Sequence, residues 1–87
     1  MEDVQVGMRG ICTGSRYTGC FGIVRYIGEI HGKRDPFVGV QFDLSNPNYN
    51  DGCFGGCRYF QCPPEFGGFV PLGDFQKVGY IHKLMQM

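Results

Sequence analysis

The feature that most constrains this chain is a glycine-rich stretch at residues 48–70, which reads NYNDGCFGGCRYFQCPPEFGGFV. It contains five of the fifteen glycines and three of the five cysteines. Its Asn-Asp-Gly segment, residues 50–52, favours a tight bend with positive φ, because glycine has no Cβ to clash there and Asn and Asp side chains bond their own backbone. We therefore predict a rigid loop, with Phe54 and a hydrophobic strand at residues 58–60 set beside it.

The composition favours a small all-β domain. A chain of 87 residues forms one domain with a modest core, which must be compact. Thirteen aromatic residues supply bulky apolar groups, and fifteen glycines without a regular period indicate many turns. Long segments of good helix formers are lacking. We predict a single domain over residues 1–87, with its folded core at about residues 4–78 and a tail at 79–87.

Four segments are predicted to form β-strands, and two of them show the apolar alternation that is typical of strands. In the second, which has the strongest signal, Val24 and Tyr26 fall on one predicted face. In the third, Val38, Val40 and Phe42 share a face, and the fourth is expected to close the sheet. Short strands separated by glycine-rich turns predict a small antiparallel barrel or sandwich. The predicted strands cover residues 8–13, 21–27, 37–43 and 73–78.

Two other segments are predicted without a strand. Residues 29–36 form the most polar stretch, which indicates a surface loop that ends at a proline. Residues 79–87 carry apolar side chains at helical spacing, so a short helix and a frayed tail both remain open.

Charge and motif patterns exclude several classes of function. Eight basic and eight acidic side chains cancel, so the chain lacks the overall positive field that nucleic acid binding draws on. No apolar run reaches the length of a membrane span, and the first residues do not resemble a signal peptide, so we expect a cytosolic protein. His31 and His82 lie in no pattern that pairs a nucleophile with a base, and we therefore expect no enzyme.

The cysteines leave a metal site as a minor alternative. Cys53, Cys57 and Cys62 are close in sequence, but their spacings differ from the paired C-x-x-C arrangement of structural zinc sites. An odd cysteine count without a secretory signal favours reduced thiols. We expect thiols that pack as small apolar groups and no cofactor, with zinc held by these three residues as the less favoured reading.

Several blocks in a fixed order resemble the CAP-Gly family, the glycine-rich domains of cytoskeleton-associated proteins. Together they extend over most of the chain and are more specific than one short motif. The blocks are VGMR at residues 6–9, GIVRYIG at 22–28, FVGV at 37–40, NDGCFGGCRYFQC at 50–62 and PPEFGGFV at 63–70.

The resemblance implies a fold and a function. CAP-Gly domains are small SH3-like antiparallel β-barrels without catalytic activity. They bind acidic C-terminal tails that end in an aromatic residue, of the Glu-Glu-Tyr/Phe type found on α-tubulin, microtubule end-binding proteins and linker proteins. The implied protein is cytoplasmic, cytoskeleton-associated and a monomer. A lone domain without a coiled coil or basic linker is expected to be a fragment or a protein of the tubulin-folding cofactor type.

The resemblance also implies a peptide-binding groove around the Asn-Asp-Gly turn. We expect the turn to leave its backbone N–H groups and the Asn50 amide accessible to a terminal carboxylate, over an apolar aromatic floor. Phe60 and Phe69 are expected to be mainly core residues, and Tyr59 is ambiguous. The predicted peptide-binding residues are Phe37, Tyr49, Asn50, Asp51, Gly52, Phe54, Arg58 and Phe66.

One departure from the family pattern concerns charge. Asn48 and Tyr49 stand where the family has Gly-Lys, so a lysine expected to attract the acidic tail is missing. Loss of one exposed charge weakens binding by about 1 kcal/mol. Lys33, Arg34 and Arg58 are the candidates to replace it. The alternative is a structural or assembly domain with a degenerate groove.

Overall fold

The computed structural model describes residues 4–78, and these form an all-β domain. Five strands form one antiparallel sheet in the order β6-β3-β2-β1-β7, and β4 and β5 form a separate hairpin. No helix in the described residues is long and apolar enough to cross a membrane. The strands are β1 (Arg9–Cys12), β2 (Phe21–Gly28), β3 (Phe37–Phe42), β4 (Cys53–Phe54), β5 (Cys57–Arg58), β6 (Gly67–Pro71) and β7 (Phe75–Lys77).

The five-stranded sheet curls into an open barrel. Its two edge strands, β6 and β7, are joined only by the 3₁₀ turn Leu72–Asp74. In a flat sheet these edges would lie about 19 Å apart, whereas three residues of 3₁₀ helix span about 6 Å. Val70 from one edge and Phe75 from the other share a single core cluster. The prediction of an all-β, SH3-like antiparallel barrel is therefore confirmed.

The core is built from the inward faces of alternating strands. The predicted face of β3 is confirmed, because Val38, Val40 and Phe42 are all buried. Cys12 and Val24 join them from β1 and β2. Full burial of such side chains contributes about 1.5–3 kcal/mol each, so this cluster is the main source of stability in so short a chain.

A β-bulge in β2 changes one predicted face. Val24 lies opposite Val40, but Tyr26 lies opposite Gly39, so the register shifts between the two β2 residues. Because neighbouring residues of β3 point to opposite faces, the bulge moves Tyr26 to the outer face while Val24 stays in the core. The prediction that both share a face was wrong.

The predicted strand at residues 58–60 was also wrong beyond its first residue. Strand β5 ends at Arg58. The N–H groups of Tyr59 and Phe60 both donate to the carbonyl of Gly52, at 2.9 and 3.3 Å. The chain therefore wraps around the turn instead of continuing the hairpin ladder.

Strand β6 was predicted only as a glycine-rich return, yet it is the partner of β3 along five residue pairs. Its glycines are required by close packing on both faces. A Cβ on Gly67 would lie 2.6 Å from the Asn50 Oδ1, and a Cβ on Gly68 would lie 2.7 Å from the Phe42 ring. The sequence signal for a strand is weak there because glycine has low β-propensity.

The remaining predicted elements agree with the structure in outline. Strands β1 and β7 confirm the first and last predicted strands with shorter bounds, and β7 pairs with β1 at the sheet edge. The loop at residues 29–36 is mostly exposed as predicted, but Ile30 is only 2% exposed and anchors the loop in the domain. The helix or tail considered for residues 79–87 lies outside the described residues.

A candidate peptide-binding surface

The turn at residues 50–52 has the predicted tight geometry. Asn50 exchanges backbone hydrogen bonds with Gly67, at 2.8 and 2.7 Å, which fixes the turn to strand β6. The Asn50 Oδ1 accepts a 2.9 Å bond from the Gly52 N–H. Gly52 has a φ of +103°, and a Cβ there would collide with the carbonyl of Phe60. Only glycine satisfies both requirements at this position.

The prediction that the turn offers its backbone donors to a ligand was wrong for three of them. The N–H of Asn50 donates to Gly67, and the N–H of Gly52 to the Asn50 side chain. The N–H of Cys53 donates to the Asp51 Oδ1 at 3.3 Å. The turn satisfies its own donors because Asn and Asp side chains compete for them. A ligand must therefore be held mainly by side chains.

Arg58 is part of the turn's internal bonding. Its Nη2 lies 3.2 Å from the Asp51 Oδ2, and its Nη1 donates to the carbonyls of Asp51 and Phe60. Burial opposes ionisation of Asp51, but the bonds from Arg58 and Cys53 outweigh it and hold the carboxyl pKa below its ordinary value. The guanidinium thus supports the shape of the turn.

Tyr49 points away from the turn's outer side. It belongs to an interior aromatic cluster with Tyr17 and Phe42, at ring centroid distances of 5.5 and 4.7 Å. Its hydroxyl lies 3.5 Å from the Cys20 Sγ. That hydrogen bond, together with burial, raises the pKa of Tyr49 to about 12. Tyr49 therefore does not cover the outer side of the turn.

A second group of rings forms the outer surface beside the turn, and we call it the surface aromatic cluster. Phe69 is its centre, with ring centroids of three neighbours at 5.4 to 5.8 Å. Tyr26 joins at the edge, 5.2 Å from Tyr59. Offset and edge-on pairs of this kind stabilise one another beyond their buried area. The cluster consists of Tyr26, Phe54, Tyr59, Phe60 and Phe69.

Strand β3 provides the seat for these rings. A Cβ on Gly39 would lie 2.6 Å from the Phe60 ring and 3.1 Å from the Phe69 ring, so the aromatic side chains rest directly on the backbone. Phe69 is 9% exposed, consistent with a core role, whereas Phe54 is 37% exposed. The cluster is therefore a fixed apolar floor with one open ring.

The loop at residues 29–36 borders the cluster and is tied to it. The His31 N–H donates to the Tyr59 hydroxyl at 2.8 Å. The Tyr26 hydroxyl donates to the Glu29 carbonyl at 2.7 Å. The Nζ of Lys33 lies 5.6 Å from the centroid of the Phe54 ring. The positive charge of Lys33 thus lies over the most exposed ring of the cluster.

The structure places Phe37 and Phe66, the other two predicted aromatic residues, differently relative to this surface. Phe37 begins β3 and is half-buried on the strand face that Gly39 shares, so it borders the cluster. Phe66 precedes β6, and its carbonyl accepts a 2.7 Å bond from the Phe42 N–H. Within residues 4–78 Phe66 makes no ring contact with the surface aromatic cluster. The assignment of these residues to peptide binding stays a prediction.

Sequence reasoning missed one contributor to this surface and undervalued two others. Tyr26 reaches the surface only because of the bulge, which no sequence pattern marked. Phe69 was expected mainly as core, yet it is also the hub of the outer rings. Lys33 was one of three candidate cations, and its place over Phe54 depends on how the loop folds back.

The three cysteines of the zinc hypothesis are not brought together. Cys57 is exposed, Cys53 is partly exposed, and Cys62 is buried with its pKa raised by burial. Across residues 4–78 no group of three or more His, Cys, Asp or Glu side chains could hold a metal ion. The described geometry therefore gives the zinc hypothesis no support.

Comparison with known proteins agrees with this architecture. The CAP-Gly domain model matches residues 6–75. The chain belongs to the CAP-Gly family. It is 35% identical over 82 residues to tubulin-specific chaperone B of Caenorhabditis elegans, covering 88% of this chain and 35% of that protein. It is 37% identical over 88 residues to tubulin-specific chaperone E of Danio rerio, covering 99% of this chain and 16% of that protein.

Solved structures show the same fold. The CAP-Gly domain of the human kinesin-like protein KIF13B matches with a TM-score of 0.73 and 31% identity, over 88% of this chain and 72% of that one. The CAP-Gly domain of Bik1, solved with an ETF peptide from Bim1, matches with a TM-score of 0.61 and 30% identity, over 86% and 82%. The chain spans about a third or less of the two tubulin chaperones, at 35% and 16% of their lengths.

Proposed function

We propose that this chain is a non-catalytic peptide-recognition domain for acidic C-terminal tails that end in Tyr or Phe. The tails of α-tubulin and of microtubule end-binding or linker proteins are the proposed ligands. The terminal aromatic side chain packs on the surface aromatic cluster, and the acidic residues before it lie against the positive edge of that cluster. The domain acts in the cytoplasm, associated with the cytoskeleton, as a monomer.

The observation that carries this proposal is the open ring of Phe54 in an otherwise well-packed surface. Exposed aromatic anchors in a rigid apolar setting are typical centres of binding energy. Asn50 adds a polar group at the edge, because its side chain lies over Gly67, two residues from Phe69 on the same face of β6. The Asn50 Oδ1 accepts the Gly52 N–H, so the NH₂ group of the side chain is the donor that we propose for a ligand carboxylate.

The relatives support the proposed partner class. The Bik1 domain was solved with an ETF peptide, whose sequence contains an acidic and an aromatic residue. Two relatives are tubulin-specific chaperones. We propose that this chain contributes tail recognition to a protein of the tubulin-folding cofactor type.

Calorimetry with a peptide ending in Glu-Glu-Tyr tests the proposal. Phe54→Ala is expected to weaken binding about tenfold or more, because the open anchor is removed. The matched control is Phe21→Ala, since Phe21 is 42% exposed and lines a separate pocket with Cys20 and Leu44. That control is expected to bind like the parent.

The peptide controls test which end group is read. Replacing the terminal Tyr by Ala is expected to abolish measurable binding. If the parent domain binds none of the aromatic-ended tails, the proposal fails and the degenerate-groove alternative is favoured. Equal losses for Phe54→Ala and Phe21→Ala would reject the surface aromatic cluster as the site.

A further inference from the structure

We infer that Lys33 determines the preference for acidic residues in the bound tail, in place of a charge at the turn. This inference rests on the proposed function. Net charge is zero, so acidic selectivity requires a cation placed at the site itself. The turn cannot supply it, because Tyr49 points into the interior aromatic cluster and Arg58 is bonded to Asp51 and Phe60.

Three other arginines of residues 4–78 interact with groups outside the surface aromatic cluster. Arg9 forms an ion pair with Asp43, with a closest N–O distance of 2.6 Å. Arg25 donates to Gln41 at 3.0 Å. Arg16 lies 5.6 Å from the centroid of Tyr17, in the interior aromatic cluster. None of these three contacts the surface aromatic cluster through these interactions.

Lys33 is held where a ligand would meet it. Its backbone N–H donates to the Ile30 carbonyl at 2.9 Å, and Ile30 is buried, so the backbone of Lys33 is bonded to a residue that is anchored in the domain. The adjoining His31–Tyr59 bond ties the same loop to the ring surface. Lys33 forms no ion pair within residues 4–78, and its ammonium lies over the face of Phe54. A carboxylate near that ring would therefore find an unpaired positive charge.

The position of the Lys33 ammonium predicts its effect on peptide binding. An aromatic group resting beside Phe54 brings the residues before it close to the Lys33 Nζ. An exposed ammonium and a carboxylate attract modestly, and salt screens the attraction. The effect is a several-fold preference for Glu over Gln next to the aromatic terminus, with faster association at low salt.

The test compares two peptides that differ only in charge, ending in Glu-Glu-Tyr and Gln-Gln-Tyr, by calorimetry at two salt concentrations. We expect the parent to prefer the Glu peptide about fivefold at low salt, which corresponds to about 1 kcal/mol. Lys33→Gln should remove this preference and leave Gln-Gln-Tyr affinity within twofold. Lys33→Glu should reverse it.

Arg16→Gln is the matched control, because it removes the same charge from a cation at the same 5.6 Å distance from a different ring. It should keep the parent's preference, and so should Arg34→Gln. A preference that persists in Lys33→Gln, or disappears in Arg34→Gln, overturns the inference while leaving the proposed function intact. Equal parent affinity for both peptides also overturns it. A parent that binds neither peptide overturns the proposed function, and the inference with it.

Discussion

The two aromatic clusters lie on opposite faces of strand β6 and have opposite relations to solvent. In the interior aromatic cluster, Phe42 is 3% exposed and is packed against two tyrosines. In the surface aromatic cluster, Phe54 is 37% exposed. The boundary passes between Tyr49, which points inward, and Asn50, whose side chain lies over the outer face of Gly67.

The comparison separates rings that stabilise the fold from a ring available for binding. A ring enclosed by other core groups contributes through burial and packing that are lost together when it is removed. A ring that remains about one-third exposed has buried less of its apolar area on folding, so more of that area can still be buried against a partner. The same residue type thus serves stability on one face and recognition on the other.

The largest expected effect is the loss of an interior ring. Phe42→Ala should lower the free energy of unfolding by about 3–5 kcal/mol, because it leaves a cavity beside Tyr17 and Tyr49. Phe54→Ala should lower it by less than about 1 kcal/mol. Urea unfolding of both variants measures the contrast. Similar losses would show that the two clusters do not differ in this way.

The next effect concerns the turn that separates the clusters. Gly52→Ala should cost about 2–4 kcal/mol, because positive φ is strained and the new Cβ displaces the Phe60 carbonyl. Gly55→Ala is the control, since Gly55 also has positive φ, at +58°, but has open space around it. It should cost about 1 kcal/mol. Equal costs would mean that φ alone, and not the packing of Phe60 against the turn, limits this position.

A smaller effect tests the hydroxyl of the interior cluster. Tyr49→Phe removes the bond to Cys20 and should cost about 1 kcal/mol at pH 7. The pKa of Tyr49 is raised from 10.0 to about 12, so the unfolded chain releases this proton first as pH rises. The free energy of unfolding of the parent therefore decreases between about pH 10 and 12 because of Tyr49. Tyr49→Phe lacks this group and does not show that decrease.

The difference in free energy of unfolding between the parent and Tyr49→Phe should consequently become smaller at alkaline pH. Chemical denaturation of both proteins at pH 7 and pH 11 measures the difference between their free energies of unfolding. An equal difference in free energy at both pH values would indicate that the Tyr49 hydroxyl does not form the bond to Cys20.

The smallest effect is expected at the exposed ion pair of the turn. Asp51→Asn keeps an oxygen for the Cys53 N–H but removes the charge facing Arg58, and because solvent screens an exposed ion pair it should lower the melting temperature at pH 7 only slightly. The Asp51 pKa is lowered below 3.8, so this contribution is present above that pH and is lost as pH falls through the folded value. Thermal melts at pH 7 and at a series of lower pH values should show the difference between parent and variant shrinking as the solution becomes more acidic. A fall in melting temperature at pH 7 as large as that of Gly52→Ala would mean that charge, rather than backbone bonding, holds the turn.

Much of the fold was predictable because its signals are local. The alternation of Val38, Val40 and Phe42 predicted the buried face of β3, and Asn-Asp-Gly predicted the bend with positive φ at Gly52. The glycines of β6 gave no such signal. Glycine is required at these positions because Asn50 and Phe42 pack closely against the backbone of β6. Both residues are distant in sequence, so a window of neighbouring residues does not contain these contacts.

The candidate site was less predictable than the fold. Residues 50–52 and Phe54 could be chosen from their pattern, but the direction of each side chain could not. Tyr49 and Asn50 are adjacent in sequence and point to opposite faces. Turn donors that looked available are used by the turn itself: the N–H groups of Gly52 and Cys53 each bond to a side chain two residues earlier. The sequence spacing permits these bonds but does not show that they form.

The amino-acid sequence by itself determined the all-β class, the position of the glycine turn and the membership of the CAP-Gly family, since these depend on residue types at short spacing. Only the tertiary structure decided which rings of the two aromatic clusters are enclosed, that Phe54 is the exposed one, and that Lys33 lies over it. The reason is that a single bulge in β2 and the return of the loop at residues 29–36 bring Tyr26, Tyr59 and Lys33 together from distant positions. Those juxtapositions are set by the packing of the whole barrel.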